Sequence, residues 1–346
     1  MIRIQNVYYM LAYAFQVLNE QTYRNLATEV FANTADLFAA ILTKGISSQI
    51  RRGLGKTYIQ ETEALSTIRG KIDVSASIKT QTIHKKQLVC SYDDFSVDTK
   101  MNRIIKSTVM LLVKADISRA RKKELLKLMV FFNDVGIVDL YSVDWHMNYN
   151  RNNQTYRMLM GICFLTVKGL LQTQSDGSTK LMDFLDEQHM SRLYEKFILE
   201  YYRKEFPRIS ANATQISWQL DDDIDYMLPV MQTDIMLSYK EKVLIIDAKY
   251  YSHSTQVQYG VHTLHSGNVY QIFTYVKNKE AELMGVPHEV AGMLLYARTD
   301  EDVFPGNEYH MSGNKISVRT LNLDCDFGEI RKQLDSIANE FFGDCQ

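Results

Sequence analysis

The chain has 346 residues, of which 46% are apolar, and its 39 basic and 41 acidic residues leave a formal net charge of -2. A typical domain holds about 150 residues, so this length predicts two domains with sizeable cores. The near-neutral balance excludes a protein that binds nucleic acid through a global positive field, and any DNA contact must be local or shared with a partner.

Neither membrane insertion nor secretion is expected. A membrane span needs about 18 consecutive apolar residues, which the chain lacks, and the apolar stretch from Val7 to Leu18 has no small-residue cleavage site. The cysteines are widely spaced and form no C-x-x-C pair, a pattern typical of buried thiols in a reducing cytoplasm. They are Cys90, Cys163, Cys325 and Cys345.

Helical patterns dominate the first half of the chain. Apolar residues from Val7 to Leu18 recur at helical spacing, which predicts an amphipathic N-terminal helix packed on a core. The polar run Gln172 to Thr179 is rich in turn formers and predicts a linker. We therefore expect a mixed, helix-rich domain over residues 1–175 and a second domain over residues 180–346. Further helices are predicted at 36–42, 102–113 and 121–132, with a strand at 87–92.

The second half changes from a helical to a strand-like period. An apolar stripe from Met190 to Tyr201 predicts a helix that ends before Pro207. A helix, a run of strands, another helix and a last strand predict an α/β (α+β) fold. The predicted strands are Gln215–Leu220, Val230–Ser238, Val243–Tyr251 and Val290–Tyr296, and the helix before the last strand is Asn268–Met284.

Two acids interrupt neighbouring apolar strands. The strand from Val243 presents Asp247 and Lys249, which period-two alternation puts on one face. The preceding strand carries one acid, Asp234. A hairpin turning about Lys240 and Glu241 would bring Asp234 opposite Asp247, with their Cβ atoms about 5 Å apart. A slip of one residue would move Asp234 to the other face, so the register is a sharp prediction.

Paired carboxylates at this distance repel each other, and a divalent cation is the usual way for both to stay ionised. Mg²⁺ prefers oxygen ligands and accepts phosphate oxygens, so Asp234, Asp247 and the carbonyl of Ala248 are the predicted metal ligands. Lys249 would orient or help deprotonate a water and offset charge in the transition state. The predicted reaction is phosphodiester hydrolysis. The competing interpretation is a surface ion pair between Asp247 and Lys249 on an edge strand.

Other candidates carry weaker signals. Gln271 could orient the water or a phosphate. Glu195 or Glu200 could supply another acid, although both lie off the apolar stripe, which favours solvated positions. The basic clusters 51–52, 85–86 and 119–123 could touch phosphate or a partner, although such runs usually form solvated faces.

Two apparent ligand motifs are better explained otherwise. His253, His262 and His265 have no accompanying cysteine, so loop or supporting positions are favoured over a zinc site. The segment from Gly53 to Thr57 is similar to the end of a P-loop. However, Ile50 stands where the first glycine should be, and no apolar strand precedes the segment. We therefore expect no nucleotide site there.

The acid pair, the lysine and the helix motif from Gln271 to Tyr275 resemble the PD-(D/E)XK nuclease superfamily and its RecB-like branch. This resemblance implies a nuclease domain with a central mixed sheet flanked by helices. The resemblance narrows to the McrC family, the nuclease subunits of McrBC modification-dependent (type IV) restriction systems. The superfamily's proline before the first acid is Thr233 here. The motifs that carry the resemblance to McrC are Ile4-Gln-Asn6-Val-Tyr8-Tyr9-Met-Leu-Ala-Tyr13-Ala, Ile68-Arg-Gly70-Lys-Ile-Asp73, Asn102-Arg103-Ile-Ile-Lys106 and Asp247-Ala-Lys249-Tyr-Tyr.

The resemblance implies a function shared with a partner. Asp234, Asp247 and Lys249 match the family's catalytic acids and lysine. The N-terminal half would dock on an McrB-like hexameric AAA+ GTPase that binds GTP and recognises double-stranded DNA containing 5-methylcytosine. This chain would stimulate the GTPase and cut the DNA with Mg²⁺. A non-catalytic adaptor that only activates the GTPase, and an autonomous RecB-like nuclease, are the alternatives.

Overall fold

The computed structural model describes residues 2–15, 26, 29–150, 153, 155–176, 187–222, 224–251, 256–258, 261–298 and 304–343. The chain forms two compact units: unit 1 comprises Met1–Phe31 and Lys180–Gln346, and unit 2 comprises Ala32–Thr179. Within the described residues, no helix is both long and apolar enough to cross a bilayer.

The first 31 residues group differently from the expectation. They belong to unit 1, together with the C-terminal half, and not to an N-terminal domain over 1–175. The N-terminal helix, α1 (Ile4–Ala14), packs on aromatic side chains from the C-terminal half. The ring of Tyr9 stacks on Phe327 at 4.2 Å between centroids, and Tyr13 meets Phe197 edge-on at 5.6 Å. The predicted continuation of the helix from residue 16 to residue 18 lies outside the described residues.

Unit 2 combines helices with a small antiparallel sheet. Its three strands are β1 (Thr57–Leu65), β2 (Lys71–Ile72) and β3 (Leu88–Ser96), and β3 lies between the other two. The expected strand at 87–92 overlaps β3. The predicted linker at 172–179 is wrong as far as residue 176, because the last helix continues to Asp176. The elements are α2 (Thr34–Arg52), β1 (Thr57–Leu65), β2 (Lys71–Ile72), α3 (Val74–Lys79), β3 (Leu88–Ser96), α4 (Lys100–Lys114), α5 (Arg119–Met129) and α6 (Tyr156–Asp176).

The family motifs of unit 2 lie at structural contacts. Asn102 is fully buried, and its amide donates to the carbonyls of Gly55 and Val97 while its oxygen accepts from Tyr156. Gly70 has φ +68°, and a Cβ there would lie 2.4 Å from the carbonyl oxygen of Ser91. Both residues are therefore required by packing and backbone geometry.

The segment Gly53 to Thr57 is not a phosphate-binding loop. Gly53, at φ +93°, ends α2. The backbone NH of Gly55 donates to the hydroxyl of Tyr156 at 2.7 Å, and a strand, not a helix, begins at Thr57. A P-loop needs its free NH groups at a helix N-terminus, and this segment instead forms a turn between a helix and a strand.

Unit 1 is built on a six-stranded sheet in the order β12-β13-β11-β8-β7-β4. The inner pairs β8/β11 and β11/β13 are parallel and the other pairs are antiparallel, which confirms the predicted mixed sheet. The elements are α7 (Glu187–Glu205), β4 (Ser210–Asn212), β5 (Gln215–Ile216), β6 (Met231–Gln232), β7 (Ile235–Tyr239), β8 (Lys242–Lys249), β9 (Gln256–Gln258), β10 (Val261–Thr263), α8 (Ser266–Glu282), β11 (Glu289–Ala297), β12 (Glu308–Met311), β13 (Asn314–Leu321) and α9 (Phe327–Phe342).

One face of the sheet packs on α8. Val243 and Ile245 of β8 share a buried cluster with Ile272 and Val276 of the helix. Gly292 on β11 permits this close approach, because a Cβ there would lie 2.8 Å from both helix side chains. Since side chains alternate along a strand, Asp247 and Lys249 point to the same face as Val243.

The strands before β8 differ from the prediction. The expected strand at 215–220 is reduced to β5, and the expected strand at 230–238 is broken into β6 and β7 at Thr233 and Asp234. The break lies at the first predicted acid, where the backbone departs from regular pairing.

Candidate active site

Asp247 lies on a central strand and not on an edge. Its strand, β8, is paired with β7 on one side and β11 on the other, and the residue is only 1% exposed. Among the described residues, no backbone NH or hydroxyl donates a hydrogen bond to its carboxylate. The ammonium of Lys249 forms an ion pair with Oδ1 at 2.9 Å. The interpretation as a surface ion pair is therefore wrong, and a buried carboxylate without hydrogen bonds is costly.

The predicted hairpin register is confirmed. Ile235 pairs with Ile246 and Tyr239 with Lys242, so the turn is centred on Lys240 and Glu241. Asp234, one residue before the ladder, accepts a hydrogen bond from the backbone NH of Ala248 at 3.0 Å. This contact places the Asp234 carboxylate beside Asp247.

The buried site disfavours ionisation of Asp234. Burial, followed by the neighbouring charges of Asp247 and Glu195, raises the pKa of Asp234 well above its usual range. A cation bound between the two carboxylates would favour the ionised form of Asp234. A carboxylate pair that binds a metal ion is expected to behave in this way.

Lys249 is held as an ammonium. Burial lowers its pKa, but the charge of Asp247 and the contact with it more than compensate, and the net effect raises the pKa of Lys249. The ammonium also donates to Oε1 of Gln271 at 3.3 Å, and the Gln271 amide donates to the hydroxyl of Tyr275 at 2.8 Å. An amine that stays protonated carries a positive charge and cannot accept a proton. Lys249 is therefore better suited to offset negative charge than to act as a base.

Of the two candidate glutamates, Glu195 lies at the site. It is half-buried, accepts a hydrogen bond from Ser191 at 2.9 Å, and its pKa is raised first by burial, with Lys249 and Asp247 close enough to act on it. Glu200 instead forms an ion pair with Arg203 at 2.8 Å. The helical pattern alone could not separate the two, because both lie off the apolar stripe.

The remaining candidates lie elsewhere. His262 is exposed, His265 packs against the ring of Tyr251 at 5.3 Å between centroids, and His253 lies outside the described residues. The basic clusters 51–52, 85–86 and 119–123 all belong to unit 2. Cys90 and Cys163 are buried free thiols, Cys325 is partly exposed, and Cys345 is not among the described residues.

The donor set at the site consists of two carboxylates. No group of three or more His, Cys, Asp or Glu side chains in the described part of the chain is arranged to hold a metal. Two carboxylates nevertheless fit Mg²⁺, which keeps several waters and takes substrate oxygens as its other ligands. The carboxylate oxygens of Asp247, which accept no hydrogen bond from a backbone NH or hydroxyl among the described residues, are available as ligands for such an ion.

The charge conflict predicts a stability effect in metal-free protein. Asp234→Asn should raise the melting temperature near pH 8 by about 2 °C for each kcal/mol of charge conflict that it removes, the conversion expected for a chain of this size. Because the pKa of Asp234 is raised on folding, its contribution to stability is present below the unfolded value of about 4 and is lost as pH rises through the folded value. The gain should therefore shrink toward pH 4 in thermal scans.

The matched control for this measurement is Asp225→Asn, at an exposed position in the loop before β6. It should not change the melting temperature at either pH. An equal melting temperature for wild type and Asp234→Asn at pH 8 would contradict the charge conflict.

Fold and site together define an α/β protein with a buried acid–acid–lysine centre on its mixed sheet. The chain belongs to the McrBC family: a family model described as "McrBC 5-methylcytosine restriction system component" matches residues 4–297. Over 347 aligned residues it is 30% identical to the Type IV methyl-directed restriction enzyme EcoKMcrBC of Escherichia coli K12, covering 98% of both chains. The family predicted from the motifs is confirmed, and the chain is a subunit of a restriction system.

A solved structure shares the fold. It is the refined half-complex from the tetradecameric assembly of Thermococcus gammatolerans McrB AAA+ hexamers with bound McrC. The alignment covers 96% of this chain and 76% of that chain, with a TM-score of 0.53 and 17% sequence identity.

Proposed function

We propose that this chain is the endonuclease subunit of a 5-methylcytosine-directed restriction complex and that it hydrolyses DNA phosphodiester bonds with Mg²⁺. The observation that carries the proposal is the Asp247 carboxylate, which is 1% exposed and has the ammonium of Lys249 at 2.9 Å as its ion-pair partner, with the carboxylate of Asp234 beside it. A buried charge at such cost marks a functional site more often than a structural one. Membership of a restriction family supports DNA as the substrate class.

Each side chain has a distinct task in this proposal. Asp234 and Asp247 would hold Mg²⁺, which when bound polarises the scissile phosphate and lowers the pKa of a coordinated water. Lys249 offsets the negative charge that develops on the phosphate and orients the attacking water. Gln271 holds the ammonium of Lys249 in place through its side-chain oxygen.

The motor function belongs to a partner in this account. The solved relative is bound to AAA+ hexamers, and the segment Gly53 to Thr57 of this chain forms a turn, not a P-loop. We infer that an McrB-like hexameric GTPase binds GTP and selects DNA with modified cytosine, while residues of the N-terminal half contact and stimulate it. The near-neutral charge agrees with DNA binding that is shared with this partner.

The test is cleavage of methylated double-stranded DNA by the full chain, alone and with its cognate AAA+ GTPase. Cleavage is expected only with GTPase, GTP and Mg²⁺ together, and it should stop when EDTA is added or when the DNA is unmethylated. Cleavage by the isolated chain without GTP would favour an autonomous nuclease. Stimulated GTP hydrolysis without any cleavage would favour an adaptor.

A further inference from the structure

The strand that carries Asp234 contains one extra residue. Ala211 pairs with Leu237 and Ile216 with Met231, so five residue steps on one strand face six on the other. An insertion of one residue opposite a regular strand is the pattern of a β-bulge. The extra residue falls within the segment that includes Thr233 and Asp234, which is why β6 and β7 are separate.

The side-chain hydroxyl of Thr233 holds this bulge in place, because it both donates and accepts a hydrogen bond. It donates to the carbonyl of Thr214 at 2.9 Å and accepts from the NH of Thr214 at 3.1 Å. The backbone NH of Thr233 also donates to the Thr214 carbonyl at 3.0 Å. Thr233 is 1% exposed, so these bonds are shielded from competing water.

The neighbouring backbone is tied to the helix that reaches Lys249. The carbonyl of Gln232 accepts from the hydroxyl of Tyr275 at 3.0 Å, and Tyr275 in turn accepts from the Gln271 amide at 2.8 Å. Gln232 and Thr233, the two residues before Asp234, are therefore held by hydrogen bonds to Tyr275 and to Thr214. A bulge beside an active site commonly serves to redirect one side chain.

We infer that Thr233 is a positioning residue: its hydroxyl clamps the bulge to Thr214 and thereby sets the Asp234 carboxylate for metal binding. The inference rests on the proposed function and assigns a task to the threonine that replaces the superfamily's proline. Supporting groups behind metal ligands typically change metal affinity by about 10-fold to 100-fold when removed.

The experiment uses the full chain and Mn²⁺, whose binding is followed by electron paramagnetic resonance. Thr233→Val keeps shape and burial but removes both hydroxyl hydrogen bonds, leaving the NH of Thr214 without that acceptor. We expect about 10-fold weaker Mn²⁺ binding, whereas Thr233→Ser, which keeps the hydroxyl, should bind like wild type. Thr233→Ala serves as a second variant if the valine protein does not fold.

The matched control is Thr320→Val on β13, where the hydroxyl donates to the carbonyl of Pro305 at 2.9 Å. It loses a comparable hydrogen bond without touching the site and should leave Mn²⁺ binding unchanged. In the cleavage assay with the partner GTPase, Thr233→Val should raise the Mg²⁺ concentration for half-maximal rate about 10-fold and should recover most of the rate at saturating Mg²⁺.

The outcomes separate the two proposals. Wild-type Mn²⁺ affinity in both Thr233→Val and Thr233→Ala, with wild-type protein that binds Mn²⁺ and cleaves DNA, would overturn the clamp while leaving the nuclease assignment intact. Wild-type protein that neither binds Mn²⁺ nor cleaves would overturn the proposed function and the clamp with it.

Discussion

Asp247→Asn is expected to lower the rate of Mg²⁺-dependent DNA cleavage by about 1,000-fold or more, which corresponds to about 4 kcal/mol of transition-state stabilisation. The amide keeps the shape of the side chain but removes the negative charge that faces Asp234. Asp247 is buried, and its polar contact is the ion pair with Lys249 at 2.9 Å. The variant loses this ion pair but also loses the charge that faces Asp234, so it should still fold in the absence of metal.

The assay compares cleavage and GTP hydrolysis in the assembled complex. Stimulation of the GTPase should survive in Asp247→Asn, because Asp247 belongs to the C-terminal half, whereas partner binding is proposed for residues of the N-terminal half. Asp335→Asn is the matched control, since it neutralises a part-buried acid that accepts a hydrogen bond from Tyr201. Cleavage by Asp247→Asn within about tenfold of the control rate would show that the carboxylate is not needed.

Lys249→Met should reduce cleavage by about 100-fold to 1,000-fold, the usual loss when a group that stabilises developing charge is removed. Methionine keeps the length and burial of the side chain, but no cation remains beside Asp247. Since Lys249 is not a metal ligand in this account, its removal should leave Mn²⁺ binding as tight as in wild type or tighter.

Lys242→Met is a control on the same strand. In the wild-type protein, the Lys242 ammonium donates a hydrogen bond to the carbonyl of Phe341 at 2.7 Å. This variant should cut DNA at the wild-type rate after correction for folded fraction. Loss of Mn²⁺ binding in Lys249→Met but not in Lys242→Met would show that the lysine organises the metal site and does not act on the substrate.

The core of the site could be predicted because it depends on local geometry. Alternation along β8 places Asp247 and Lys249 on one face, and a tight turn at Lys240 and Glu241 fixes the hairpin register. The α/β class followed from the order of strand-like and helical patterns, whereas the mixed sheet was implied by the resemblance to the nuclease superfamily. The alternating segment Asn314 to Leu321, which forms β13, carried the same kind of signal but was not predicted.

Features that depend on distant contacts were not accessible from the pattern. The burial of Met231, Thr233, Ile235 and Leu237 alternates without interruption, so the extra residue on this strand is revealed only by its pairing with the partner strand. Similarly, α1 joins unit 1 through rings from far along the chain, such as Phe327. Glu195 was expected to face solvent because its helix position is polar, but its surroundings are the charged groups of the site.

The most direct test is anomalous diffraction from crystals of the protein soaked in Mn²⁺. The account predicts one strong peak between the carboxylates of Asp234 and Asp247, and no such peak in Asp247→Asn crystals treated in the same way. Crystals of cleavage-competent protein with no manganese at these two acids, or with manganese bound only elsewhere, would contradict it.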